Sequence, residues 1–64
     1  MSHDLLKYLS DQIQEELGVI EKDTVLGKAG SFDDYKFACG VYRGLLLARN
    51  IIIETAERMD KADD

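Results

Sequence analysis

Cys39 and His3 are the only cysteine and the only histidine in this 64-residue chain, and together they bound the chemistry available to it. One thiol cannot close an intrachain disulfide, and one thiol with one imidazole falls short of the ligand set of a structural zinc site. A cysteine nucleophile needs a base or a positive group held beside it. Cys39 instead lies in an apolar stretch, Phe37-Ala38-Cys39-Gly40-Val41, where a free cysteine reads as a small buried hydrophobe of a reducing compartment; a reactive thiol is the competing reading. Carboxylate pairs such as Glu15/Glu16 and Asp33/Asp34 are adjacent in sequence. On a helix, adjacent residues point about 100° apart, so such pairs read as solvated faces and caps and not as acid and base on one substrate. The chain has no Ser/His/Asp set, no phosphate-binding glycine loop and no metal-ligand spacing. The expectation is a chain that is not an enzyme and takes no cofactor, metal or small-molecule substrate.

Charge narrows the partners further. Thirteen acidic against eight basic residues leave a net charge of −5, which disfavours nucleic acid and anionic lipid as direct ligands. Mimicry of nucleic acid is also disfavoured, because Lys7, Lys22, Lys36, Arg43 and Arg58 are interspersed among the acids. The opening Met-Ser-His-Asp lacks the basic start and apolar core of a secretion signal, and no apolar run approaches the ~20 residues of a membrane span. A cytoplasmic protein is expected. As a single domain, 1–64, a chain this small buries only about 60% of its unfolded surface. Disulfides, a structural metal or association usually make up that deficit, and only association is open here.

The elements that carry these residues follow from spacing. There is no proline, and Gly27 and Gly30 sit between two stretches of helical periodicity, which predicts an all-α, two-helix antiparallel hairpin with helices at about 3–26 and 32–60. Ser2 or Asp4 can cap the first helix. Its inward stripe is predicted as Leu5, Leu6, Leu9, Ile13, Leu17 and Ile20. Gly18 weakens that helix by about 1 kcal/mol relative to alanine and invites a kink, although continuation to a left-handed Gly27 is expected. Ser31 can cap the second helix with Asp34 answering three residues on, while Asp33 and Asp34 suit the positive end of the helix dipole. The acidic tail 61–64 reads as frayed.

A hairpin needs one apolar stripe from each helix, and the second helix supplies more. Val41, Leu45, Ala48, Ile52, Ala56 and Met59 are assigned to the first helix. Phe32, Tyr35, Tyr42, Leu46 and Ile53 then fall on one flank and Phe37, Gly44, Leu47 and Ile51 on the other. Three successive residues in Leu45-Leu46-Leu47 or Ile51-Ile52-Ile53 cannot face a single neighbour. Tyr8 and Val19, with Leu26, form a weaker second stripe on the first helix. Gly40 and Gly44 make a Gly-x-x-x-Gly pair that reads either as a groove for close helix approach or as chance or a local kink. Arg49 borders the apolar arc and either pairs with Glu15, Glu16 or an acid of another chain, or extends to solvent. The predicted protein interface is therefore Tyr8, Val19, Phe37, Gly40, Gly44, Leu46, Leu47, Arg49, Ile51 and Ile53, open to self-association or to a larger assembly.

The stretch Phe32-Asp33-Asp34-Tyr35-Lys36-Phe37-Ala38-Cys39-Gly40-Val41-Tyr42-Arg43-Gly44-Leu45 resembles short helical-hairpin proteins of tailed bacteriophages. In these an aromatic-rich start to the second helix leads into Cys-Gly-x-x-x-Gly-Leu and an acidic end. The leucine-rich Leu5-Leu6-Lys7-Tyr8-Leu9 and the final Asp63-Asp64 extend the likeness. The resemblance implies a minor structural or assembly role in a virion, made in the host cytoplasm, and assigns no functional residue. The alternative expectation is a small regulatory binder, an inhibitor or antitoxin-like partner of a host or phage protein.

Overall fold

A computed structural model describes residues 2–27 and 30–63, with side chains for 4–27 and 30–61. Two helices, α1 (Ser2–Val25) and α2 (Phe32–Asp63), pack against each other as an all-α hairpin. Lys28 and Ala29 of the predicted turn, and the side chains of Ser2, His3 and 62–64, lie outside what is described.

Local chemistry accounts for the ends. Gly27 takes φ 70°, the left-handed conformation expected of it, and its amide donates to the Thr24 carbonyl at 3.1 Å while that of Leu26 donates to Lys22 at 2.9 Å. At the start of α2 the Ser31 hydroxyl accepts from the Asp34 amide at 3.2 Å. The Asp34 carboxylate leans back toward Gly30, 3.4 Å from where a Cβ on that glycine would stand. Gly18 neither stops nor divides α1, which is one continuous helix through it. The second helix, expected to end at about 60, continues through Asp63. No glycine or proline interrupts it, and Lys61 in the last turn opposes the negative end of the dipole.

The two helices meet along seams whose residues alternate steps of three and four. On α1 these are Leu6, Ser10, Ile13, Leu17 and Ile20, all at least half-buried; on α2 they are Ala38, Tyr42, Leu45, Arg49, Ile52, Ala56 and Met59. This is the spacing of antiparallel coiled-coil packing. Three expected members of the stripes are displaced. Leu5 and Leu9 are exposed because successive steps of four advance about 40° each round a helix, which carries a 5-9-13-17 row off the contact line. Val41 gives way to Tyr42, whose phenol reaches across to α1.

Leu17, 1% exposed, is the one buried hydrophobic side chain among the described residues. The molecule is a rod of 50 × 15 × 12 Å with a radius of gyration of 14.9 Å, against about 10.7 Å for a compact chain of its length. Its accessible surface of 5163 Å² exceeds by roughly 1,000 Å² the ~4,100 Å² expected of a compact protein of this mass.

Candidate interaction surface on the second helix

Polar cross-links fix the hairpin register. The Tyr42 hydroxyl donates to Glu21 Oε1 at 2.6 Å, and Arg49 Nη1 donates to Gln14 Oε1 at 2.5 Å. Moving one heptad along α1, from Gln14 to Glu21, moves one heptad back along α2, from Arg49 to Tyr42, so both links obey a single antiparallel register. The bond to Glu21 favours the neutral phenol and raises the Tyr42 pKa above its ordinary 10.0, with desolvation and the Glu21 charge adding to it and Arg49 opposing. Tyr35 is raised as well, chiefly by a side-chain hydrogen bond with Cys39 one turn on.

Arg49 departs from expectation. Its partner on α1 is neutral Gln14 and neither Glu15 nor Glu16, whose positions turn them away from the seam. A second bond joins Nη2 to Asn50 Oδ1 at 3.3 Å, and Nε is buried without a hydrogen-bond partner. A guanidinium half-buried between two helices and incompletely bonded lowers the stability of the hairpin. Cys39 also departs from its predicted burial: it is exposed. It follows Ala38 of the seam and so stands about 100° to one side, beside an open groove of about 300 Å³ that Ile20, Glu21 and Tyr42 also line.

The predicted interface residues separate into four places. Phe37, Gly40, Gly44, Leu47 and Ile51 form one exposed stripe on α2, with Phe37 74%, Leu47 58% and Ile51 61% accessible. Half-buried Leu46 and exposed Ile53 lie on the opposite flank, Arg49 is in the hairpin seam, and Tyr8 and Val19 are exposed on α1. The flanks can be assigned because a shallow cleft brings Lys7 and Ser10 of α1 against Ile53 and Glu57 of α2. The Leu46/Ile53 flank is therefore on the Lys7 side. Exposed Leu5, Leu9 and Val41 share the other side with the stripe, and of these Val41, four residues after Phe37 and three before Gly44, could have been identified in the sequence.

No protein-family model, curated protein or solved structure matches the chain. The surface must be read from its own chemistry.

That chemistry is packing. A Cβ added at Gly40 or Gly44 would meet nothing within 4 Å, so neither glycine serves a contact inside the hairpin. The Lys36 ammonium stands 5.5 Å from the centroid of the Phe32 ring, a cation–π contact that covers part of this otherwise exposed aromatic. Among the described residues no group of three or more His, Cys, Asp or Glu could hold a metal ion. Likewise, no helix among them is long and apolar enough to cross a membrane.

Proposed function

We propose that this chain is a non-enzymatic structural or assembly protein that works by helix-to-helix contact with other protein, through the Phe37-to-Ile51 face of α2. The observation that supports this reading is the mismatch between interior and surface: one buried leucine inside, and three large apolar side chains more than half exposed on a single stripe outside. Monomeric proteins seldom leave contiguous apolar patches of several hundred Å² in water, because covering them is favourable by about 25 cal/mol per Å². The setting we propose is a tailed-bacteriophage particle or its assembly in the host cytoplasm. That setting rests on the resemblance carried by Cys39-Gly40-x-x-x-Gly44-Leu45 and the aromatic residues before it.

The test is size fractionation of lysates from cells that naturally produce the chain, comparing wild type with the Leu47→Gln/Ile51→Gln double variant. Wild type should run far above its own 7.2 kDa and band with particles, and the variant should be released from them. A wild-type chain running free at its own mass would overturn the docking reading. A defined heterocomplex away from particles would overturn the virion setting in favour of a regulatory binder.

A further inference from the structure

The exposed stripe has the spacing of a second seam. Phe37, Gly40, Gly44, Leu47 and Ile51 again alternate steps of three and four, centred about 130° round α2 from the seam used by α1. Continued outward in the same rhythm, it reaches Asp33 at one end and Glu54 and Arg58 at the other. We infer that the occupant of this face is a second copy of the chain, its α2 antiparallel to the first across a two-fold axis. This deepens the proposed docking role by naming the partner, and it rests on that reading.

Three observations select a copy in this orientation. The first is area. The roughly 1,000 Å² by which the hairpin exceeds a compact chain of its mass matches the ~800 Å² that each partner contributes to a standard interface. The second is shape. In the usual antiparallel layering, alternate seam positions of one helix oppose the complementary positions of the other. That sets Gly44 opposite the copy's Leu47 and Gly40 opposite its Ile51, so each missing side chain meets a large one. A parallel pair would set glycine against glycine and leave both layers empty. The third is charge. The antiparallel register brings Asp33 opposite the copy's Arg58, a pair that occurs twice by symmetry. A parallel pair would oppose Asp33 to Asp33 and Arg58 to Arg58. In the antiparallel arrangement both first helices fall on one side of the α2 pair, so exposed Leu5 and Leu9 border the interface.

Sedimentation equilibrium of the full chain, with helicity followed in parallel, tests this. Wild type should be a helical dimer. Gly44→Leu should weaken it at least about tenfold, because a leucine facing Leu47 overfills the layer by more than ~1.4 kcal/mol. Helicity should not fall, since nothing lies within 4 Å of the added Cβ in the single hairpin. Asp33→Arg and Arg58→Asp should each weaken the dimer about threefold to tenfold, as expected of two exposed pairs turned repulsive. Combined, they should restore wild-type affinity. The two positions are about 38 Å apart along one helix, well beyond the ~8 Å screening length, so rescue has to act between chains. Additive weakening in the double variant, or equal dimerisation of Gly44→Leu and wild type, would overturn the seam. A purified wild type that stays a folded monomer would remove the copy as partner. The lysate measurement would then show separately whether the docking reading survives.

Discussion

Arg49 is the residue at which the hairpin is least self-consistent. It occupies a seam position that Leu17 and Leu45 treat as apolar, yet it finds only two neutral oxygens and leaves Nε unbonded. An unsatisfied buried donor costs about 1–3 kcal/mol, and apolar replacement of a partly buried charge is often neutral or stabilising. Arg49→Met should therefore raise the thermal midpoint of the purified chain by about 1 kcal/mol equivalent, with Gln14, already exposed, turning to water. A fall of similar size would mean that the guanidinium contributes through bonds the hairpin does not reveal. Tyr42 carries the opposite sense, a polar group well matched to its place. Its folded pKa is raised above 10.0 by the bond to Glu21, so the folded state holds its phenolic proton longer than the unfolded state does. That contribution is complete below pH 10 and is lost as pH rises through the folded value. Tyr42→Phe should flatten part of the alkaline fall in stability, as followed by helicity from pH 8 to 12. Spectrophotometric titration of the variant should also lack one late-ionising phenol.

At the scale of elements, the glycines show how one residue type serves opposite ends. Gly27 is required by its φ of 70°, where a Cβ is strained by about 1–2 kcal/mol whatever space surrounds it. Gly18 is mid-helix with open space around it, so an alanine there should add about 0.5–1 kcal/mol. Urea denaturation should thus rank Gly18→Ala above wild type and Gly27→Ala below it. The reverse order would mean that the turn closes in another way or that α1 needs a bend at Gly18. Both roles could be read in the sequence, because a glycine between two periodic segments and a glycine inside one are different signals. The 5-9-13-17 row was harder to read. Apolar residues four apart share a face over two turns and drift off it over four, so only the partner helix decides where the contact line runs.

For the whole molecule, an elongated hairpin with a single buried leucine should be only marginally stable alone. If two copies share their α2 faces, folding and association are linked, and the thermal midpoint rises with protein concentration as binding favours the folded chain. Scans across a hundredfold concentration range should show that rise for wild type and a nearly constant, lower midpoint for Leu47→Gln/Ile51→Gln. A concentration-independent wild-type midpoint would place all of the stability within one hairpin.

The sequence by itself determined the all-α class, the two helices and the turn between them, because periodicity, capping residues and the glycine pair act within a few residues of one another. It also showed that α2 holds more apolar surface than one neighbour can cover, since three consecutive aliphatic residues cannot share a face. Only the tertiary structure decided which of those residues α1 takes. Exposure of Cys39, the choice of Gln14 for Arg49 and the replacement of Val41 by Tyr42 all depend on how α1 is rotated and registered against α2. Those two quantities are set by summed packing along the seam and not by any single residue's preference.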